Sequence, residues 1–94
     1  MFVYIMTNRP NGTLYVGATG DLVRRVHEHR THAAPGFTDR YNLTRLVHFE
    51  ALGEPQAAVQ RERNLKHWSR AWKVALIEAG NPGWRDLWEE IAAP

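Results

Sequence analysis

The sequence predicts an α+β fold: a three-stranded antiparallel sheet flanked by helices in the order β-β-α-β-α-α, with a further short helix at the C-terminal end. Three observations carry this prediction. Two alternating stretches, Val3-Tyr4-Ile5 and Leu14-Tyr15-Val16-Gly17, flank the turn residues Pro10-Asn11-Gly12, the signature of a β-hairpin. A third alternating stretch runs from Leu43 to Leu52. Between and after the strands, apolar residues recur at helical spacing.

Strand alternation puts Phe2, Tyr4 and Met6 on one face of the hairpin and Val3 and Ile5 on the other. In the second strand Tyr15 and Gly17 share a face opposite Leu14 and Val16. Val3, Ile5, Leu14 and Val16 are expected to face the helices. Pairing centred on Pro10-Asn11 sets Tyr4 opposite Gly17, and a glycine there leaves a gap beside the ring for a ligand to approach the backbone.

The first helix is predicted from Asp21 to about His32, with Gly20 or Asp21 near the N-cap and an acid in the first turn. Leu22, Val23 and Val26 form an apolar arc, with Arg25 and His29 along one border, directed at the same place. Arg24 and Arg30 close by leave open the simpler reading of Arg25 as a solvated surface charge. Residues Ala33 to Tyr41 include Pro35, Gly36, Thr38 and Asp39 and read as a loop. It is an ordinary connector with Phe37 or Tyr41 packed, or a segment whose Arg40 and Tyr41 touch a nucleic-acid backbone. In the third strand Leu43, Arg45, Val47 and Phe49 fall on one face and Thr44, Leu46 and His48 on the other, a mixture suited to an edge.

Gly53 to Pro55 opens the next helix, where proline at an early position costs no hydrogen bond. Ala58, Glu62, Leu65 and Ser69 stack along it, with Val59 beside them, so Glu62 lies in an apolar stripe. A carboxylate in such a stripe is paired, protonated or bound to a metal. A salt bridge to Arg25 or another arginine remains open. His67 and Trp68 close this helix and Ser69 caps another, with Trp72, Ala75, Leu76 and Ala79 on its buried side. Gly80-Asn81-Pro82-Gly83 stops it, and Trp84, Leu87, Trp88 and Ile91 repeat the helical period once more.

Ninety-four residues suffice for one domain spanning 1–94, with a modest core. The absence of cysteine excludes disulfides and thiolate metal sites and fits a cytoplasmic setting. No stretch approaches transmembrane length, and the N-terminus passes directly into a strand rather than a basic region and an apolar run. Ten of the twelve basic residues are arginine, whose planar fork suits phosphate, and a net charge of +2 permits nucleic-acid binding without requiring it. The five histidines form no zinc signature.

Val3-Tyr4-Ile5 and Tyr15-Val16-Gly17 at hairpin spacing, then Leu22, Arg25 and His29, then Glu62-x-x-Leu65-Lys66, resemble the GIY-YIG nuclease family over roughly residues 2 to 77. The chain is most similar to small, single-domain bacterial members that resemble the nuclease module of the excision-repair endonuclease subunit. The resemblance implies a metal-dependent DNA endonuclease that hydrolyses phosphodiester bonds in repair or recombination structures, branched or single-stranded. It makes Tyr4, Tyr15, Arg25, His29 and Glu62 the catalytic residues, Gly17 the structural glycine and Glu62 the ligand of Mg²⁺ or Mn²⁺. Arg24, Arg40, Tyr41 and Lys66 are further candidates for nucleic-acid contact.

A phenol titrates near about 10 and is a poor base at neutral pH unless a cation stabilises it, whereas histidine is the more natural base. The choice between Tyr4 and His29 as base stays open at the level of sequence. One departure stands out. Many family members place an asparagine about a dozen residues beyond the glutamate, and here that interval holds Ser69, Arg70, Trp72 and Lys73. Asn64 is too near and Asn81 lies in the Gly-Pro loop. The alternative is therefore a nucleic-acid-binding or protein-interaction module that keeps the fold without turnover, monomeric or weakly self-associating.

Overall fold

The structure, a computed structural model, describes residues 1–33 and 35–92, so what was expected of residue 34 within the loop and of 93–94 lies outside the described residues. Strands β1 (Phe2–Thr7) and β2 (Leu14–Thr19) form the predicted hairpin with Tyr4 opposite Gly17, and β3 (Arg45–Ala51) pairs with the other side of β1. The order is β2-β1-β3, antiparallel throughout. At the turn, Asn11 takes a positive φ of 58°, which asparagine tolerates, and the Gly12 N–H donates to the Arg9 carbonyl at 2.9 Å.

Helices cover both faces. Val3, Ile5, Val16 and Val47 pack against Ala58 and Leu65 of α3 (Pro55–His67) and Ile77 of α4 (Arg70–Gly80), with Leu14 at the margin. Tyr4, Met6 and Leu46 pack on the opposite face against Leu22 and Val26 of α1 (Leu22–Arg30), joined by Trp88 and Ile91 of α5 (Trp88–Ala92). The tyrosine face is thus also a core face.

Several expectations are corrected. The Asp21 side chain caps α1 by accepting from the Arg24 N–H at 3.1 Å, so the expected acid is the cap itself, and no acid lies in the first turn. Val23 is exposed while His29 is buried, a rotation of the buried stripe that puts the imidazole under the helix instead of on its border. The segment read as a loop contains a single helical turn, α2 (Phe37–Arg40). In β3 the register slips between Ile5, opposite His48, and Met6, opposite Leu46. This bulge at Val47 breaks simple alternation, so Phe49 joins Leu46 and Leu43 on the tyrosine face while Val47 faces α3.

Ser69 caps α4 as expected, its side chain accepting from the Trp72 N–H at 3.2 Å. The buried edge of α4 is Ile77, with Val74 and Leu76 partly covered; Ala75 and Ala79 are exposed, and Trp72 packs edge-on to Trp68 and stays 63% exposed. Trp84 does not begin the last helix. Its φ of 54° turns the chain so that the indole enters the α3/α4 core while Leu87 and Trp88 return to the α1 side.

That crossing wraps the free edge of β3. The Asn81 side-chain amide donates to the Val47 carbonyl, Arg45 to the Trp84 carbonyl, the Leu46 N–H to the Asp86 carboxylate and the Leu87 N–H to the Leu46 carbonyl, all at 2.7–3.2 Å. The edge backbone groups of Leu46 and the Val47 carbonyl are thereby occupied. Among the described residues no helix is long and apolar enough to cross a membrane.

Candidate active site

The site starts from the hairpin register. Tyr4 is buried at the centre of β1, and its ring lies over Gly17, where an added Cβ would sit 2.6 Å from the phenol oxygen. The gap expected for a ligand is therefore filled by Tyr4 itself, and glycine is needed for the ring to lie down. Parity places Tyr15 on the same face, ring centroids 6.3 Å apart. The α1 stripe brings His29 within 5.7 Å of both rings.

Polar atoms link these rings in a line. The Tyr4 hydroxyl and His29 Nε2 are 2.9 Å apart, and His29 Nδ1 lies 2.8 Å from the Thr38 hydroxyl of α2. Thr38 is buried and was missed at the sequence level, because a threonine in a turn-rich segment carries no distinguishing signal. Burial raises the Tyr4 phenol well above its ordinary value; Tyr15 adds to the rise, Arg25 opposes it, and Glu62 and Glu28 contribute smaller increases. Burial and then Arg25 lower His29, against Glu28. Both groups are consequently neutral at pH 7. In the tautomer with the proton on Nδ1, the phenol donates to Nε2 and Nδ1–H donates to the Thr38 hydroxyl.

Charged groups border this line. Arg25 bears on both Tyr4 and His29 while its guanidinium lies 3.6 Å from Glu28. It also walls a surface cavity of about 420 Å³ bounded by Thr19, Gly20, Asp21, Arg24 and Glu28. Glu62 is neither fully buried nor paired with Arg25: its side chain is 26% exposed and its partner is Lys66 at 3.8 Å. Lys66 in turn reaches to 5.9 Å from the Tyr15 ring centroid. From the other side Phe37 stacks on Tyr15 at 6.2 Å, and Tyr41 meets Phe37 at 4.6 Å with Arg40 over its ring.

Tyr4, Tyr15, His29 and Gly17 are thus brought together, Arg25, Glu62 and Lys66 stand around them, and Tyr41 joins through Phe37. Arg24 is highly exposed, lies 3.5 Å from Glu28 and lines the same cavity as Arg25. Asn81 is spent on the fold, holding the Val47 and Arg85 carbonyls and the Arg85 N–H at the β3 edge, so it does not stand in for the missing asparagine.

Among the described residues no group of three or more histidine or acidic side chains is arranged to hold a metal. Glu62 offers one carboxylate beside the tyrosines. A hard dication that keeps most of its water and takes phosphate oxygens needs no more than that, so the donor set fits Mg²⁺ or Mn²⁺ held weakly, with Lys66 as a competitor for the same oxygens.

The family model described as the GIY-YIG catalytic domain matches residues 1–75. The chain is 37% identical over 79 residues to a UPF0213 protein of Haloquadratum walsbyi, covering 84% of this chain and 88% of the relative. It is 33% identical over 91 residues to a UPF0213 protein of Desulfotalea psychrophila, covering 93% and 79%. The solution NMR structure of a UPF0213 protein from Bacillus halodurans superposes with a TM-score of 0.57 at 27% identity, over 94% of this chain and 93% of that one.

Proposed function

The chain belongs to the GIY-YIG catalytic-domain family, and on that premise we propose that it is a metal-dependent endonuclease hydrolysing DNA phosphodiester bonds in repair or recombination structures. The observation that carries this reading is the Tyr4–His29–Thr38 line beside Tyr15. A buried threonine–histidine–tyrosine chain with neutral members gives the Tyr4 proton an acceptor already within hydrogen-bond reach.

In this reading both candidate bases act in one step. The Tyr4 oxygen takes a proton from the attacking water as its own proton passes to His29 Nε2. The water oxygen bonds to phosphorus, the bond to the 3′ oxygen breaks, and that oxygen is protonated from solvent. The imidazolium formed keeps its Nδ1–H on Thr38. Burial makes the Tyr4 phenol a weaker acid, which argues against a resting tyrosinate, and the lowered pKa of His29 leaves its imidazole neutral and available as acceptor at neutral pH.

Arg25 would pair with a non-bridging phosphate oxygen, where its fork is best used, and Tyr15 would donate to the same group. Glu62 would hold Mg²⁺ or Mn²⁺, which when bound offsets charge on the phosphate and the leaving oxygen. Lys66 would meet the strand backbone beside Tyr15.

Plasmid and oligonucleotide cleavage with Mg²⁺ or Mn²⁺ tests this. Wild type is expected to cut, while Arg25→Ala and Glu62→Gln bind DNA and lose turnover. Salt-sensitive binding with no cleavage in either ion would sink the enzyme assignment in favour of a binding module, a reading favoured by the Lys66 ammonium already at the Glu62 carboxylate.

A further inference from the structure

The aromatic residues around the site do not end at the catalytic tyrosines. Tyr15, Phe37 and Tyr41 form a continuous run of rings, with Phe37 nearly parallel to Tyr15 (27° between planes) and Tyr41 in contact at 4.6 Å between centroids. Phe37 is 47% exposed and Tyr41 44%. Rings gathered to build a core would be covered, as Tyr4 is; these are stacked or tilted against one another, and Phe37 and Tyr41 stay open to solvent. α2 holds them in place by its own bonds: Thr38 to His29 at 2.8 Å, the Leu43 N–H to the Thr38 carbonyl at 2.8 Å, and Asp39 to His32 at 2.8 Å. The platform is therefore fixed to the same imidazole that faces Tyr4.

Charge flanks it at both ends. Arg40 lies over Tyr41 at 5.7 Å, and Lys66 lies over Tyr15 at 5.9 Å. A run of exposed aromatic faces bordered by cations suits one ligand chemistry, bases that expose their own faces on a chain of phosphates. Bases within a duplex are stacked on each other and offer none.

We propose that Phe37 and Tyr41 form a stacking platform for unpaired nucleotides next to the scissile phosphate, so that the substrate is DNA with a single-stranded segment at the cut. This rests on the endonuclease reading. It makes Phe37 and Tyr41 specificity residues that touch the strand outside the reacting atoms, with Arg40 and Lys66 on the phosphates that flank the stacked bases.

The test separates the two readings by measuring binding without metal and cleavage with it. Anisotropy of a labelled strand is read in EDTA for the strand alone, the fully paired duplex and the duplex carrying an unpaired tail, with wild type and with a Phe37→Leu/Tyr41→Leu double variant. Leucine keeps apolar cover over Tyr15 but has no ring, and a Phe37→Trp variant restores one. Wild type is expected to prefer the strand and the tailed duplex, and the leucine variant to lose at least about fivefold on these while duplex binding is unchanged. Phe37→Trp should bind unpaired ends as tightly as wild type or more tightly. Equal binding of the strand by wild type and the leucine variant, with both folded by circular dichroism, overturns the platform, as does a wild-type preference for the paired duplex. In the cleavage arm, cutting that is indifferent to unpaired nucleotides also overturns it while leaving the nuclease standing. Tight, ring-dependent binding without any cutting supports the platform and sinks the enzyme assignment.

Discussion

Gly17 decides where the Tyr4 phenol lies; its place opposite Tyr4 was legible, because strand parity and turn length fix register before any packing is known, but the ring that fills its gap was not. Gly17→Ala places a methyl inside van der Waals range of the ring. The ring is wedged between His29 and Tyr15, so the strain is expected to cost about 1–3 kcal/mol in chemical denaturation and to reduce cleavage more than DNA binding. His29 gives a pH signature. Its lowered value means the unfolded chain binds the proton first, so its contribution to stability is complete above about pH 6.5 and is lost as pH falls from there through the lower folded value. Melting at pH 5 against pH 7.5 should drop more for wild type than for His29→Gln; equal drops would show that burial does not hold the ring neutral. Tyr4, Tyr15, Arg25 and Glu62 were picked out at the level of sequence through the family resemblance, with strand parity and helical stacking beside it. Thr38 was not, because its role exists only through a contact across nine residues of chain.

At the scale of elements, the hairpin, the Ser69 cap and the Gly-Pro stop follow from local chemistry and were readable. What escaped the pattern were the places where tertiary structure overrides a period. The bulge at Val47 reverses the parity of β3, and the positive φ of Trp84 sends one tryptophan of an apparently regular repeat to the far side of the sheet. The segment between Asn81 and Leu87 is held chiefly by Asp86, which pairs with Arg30 and accepts from the N–H groups of Leu46 and Trp88. Asp86→Ala should cost about 2–3 kcal/mol by urea denaturation, the range for losing hydrogen bonds to a charged group. Cleavage at low temperature should persist, since none of these contacts reaches the tyrosines. The α3 pair is different: Glu62–Lys66 is partly solvated, so Glu62→Gln should change stability by less than about 1 kcal/mol while abolishing metal-dependent cleavage. Unfolding of that variant would make Glu62 a structural residue.

For the whole molecule, net charge is small and the candidate phosphate contacts are few, namely Arg25, Arg40 and Lys66. Affinity for DNA should therefore be modest and fall with salt, the log–log slope shrinking by about one when Arg25 is replaced by alanine. Titration at two salt concentrations checks this, and a slope near zero would refute backbone binding. The sheet has two outer edges. On the β2 side α3 brings Glu62 and Lys66 to the tyrosines, whereas on the β3 side residues 81–87 cover the backbone at Leu46 and Val47. The family match ends at residue 75, short of that closure. The stretch that carries the candidate site residues is thus not the stretch that covers this edge. Removing residues 81–87 would keep every candidate site residue in the chain, yet it would take Trp84 and Leu87 out of the two cores and uncover the Leu46 and Val47 backbone groups as a template for strand addition.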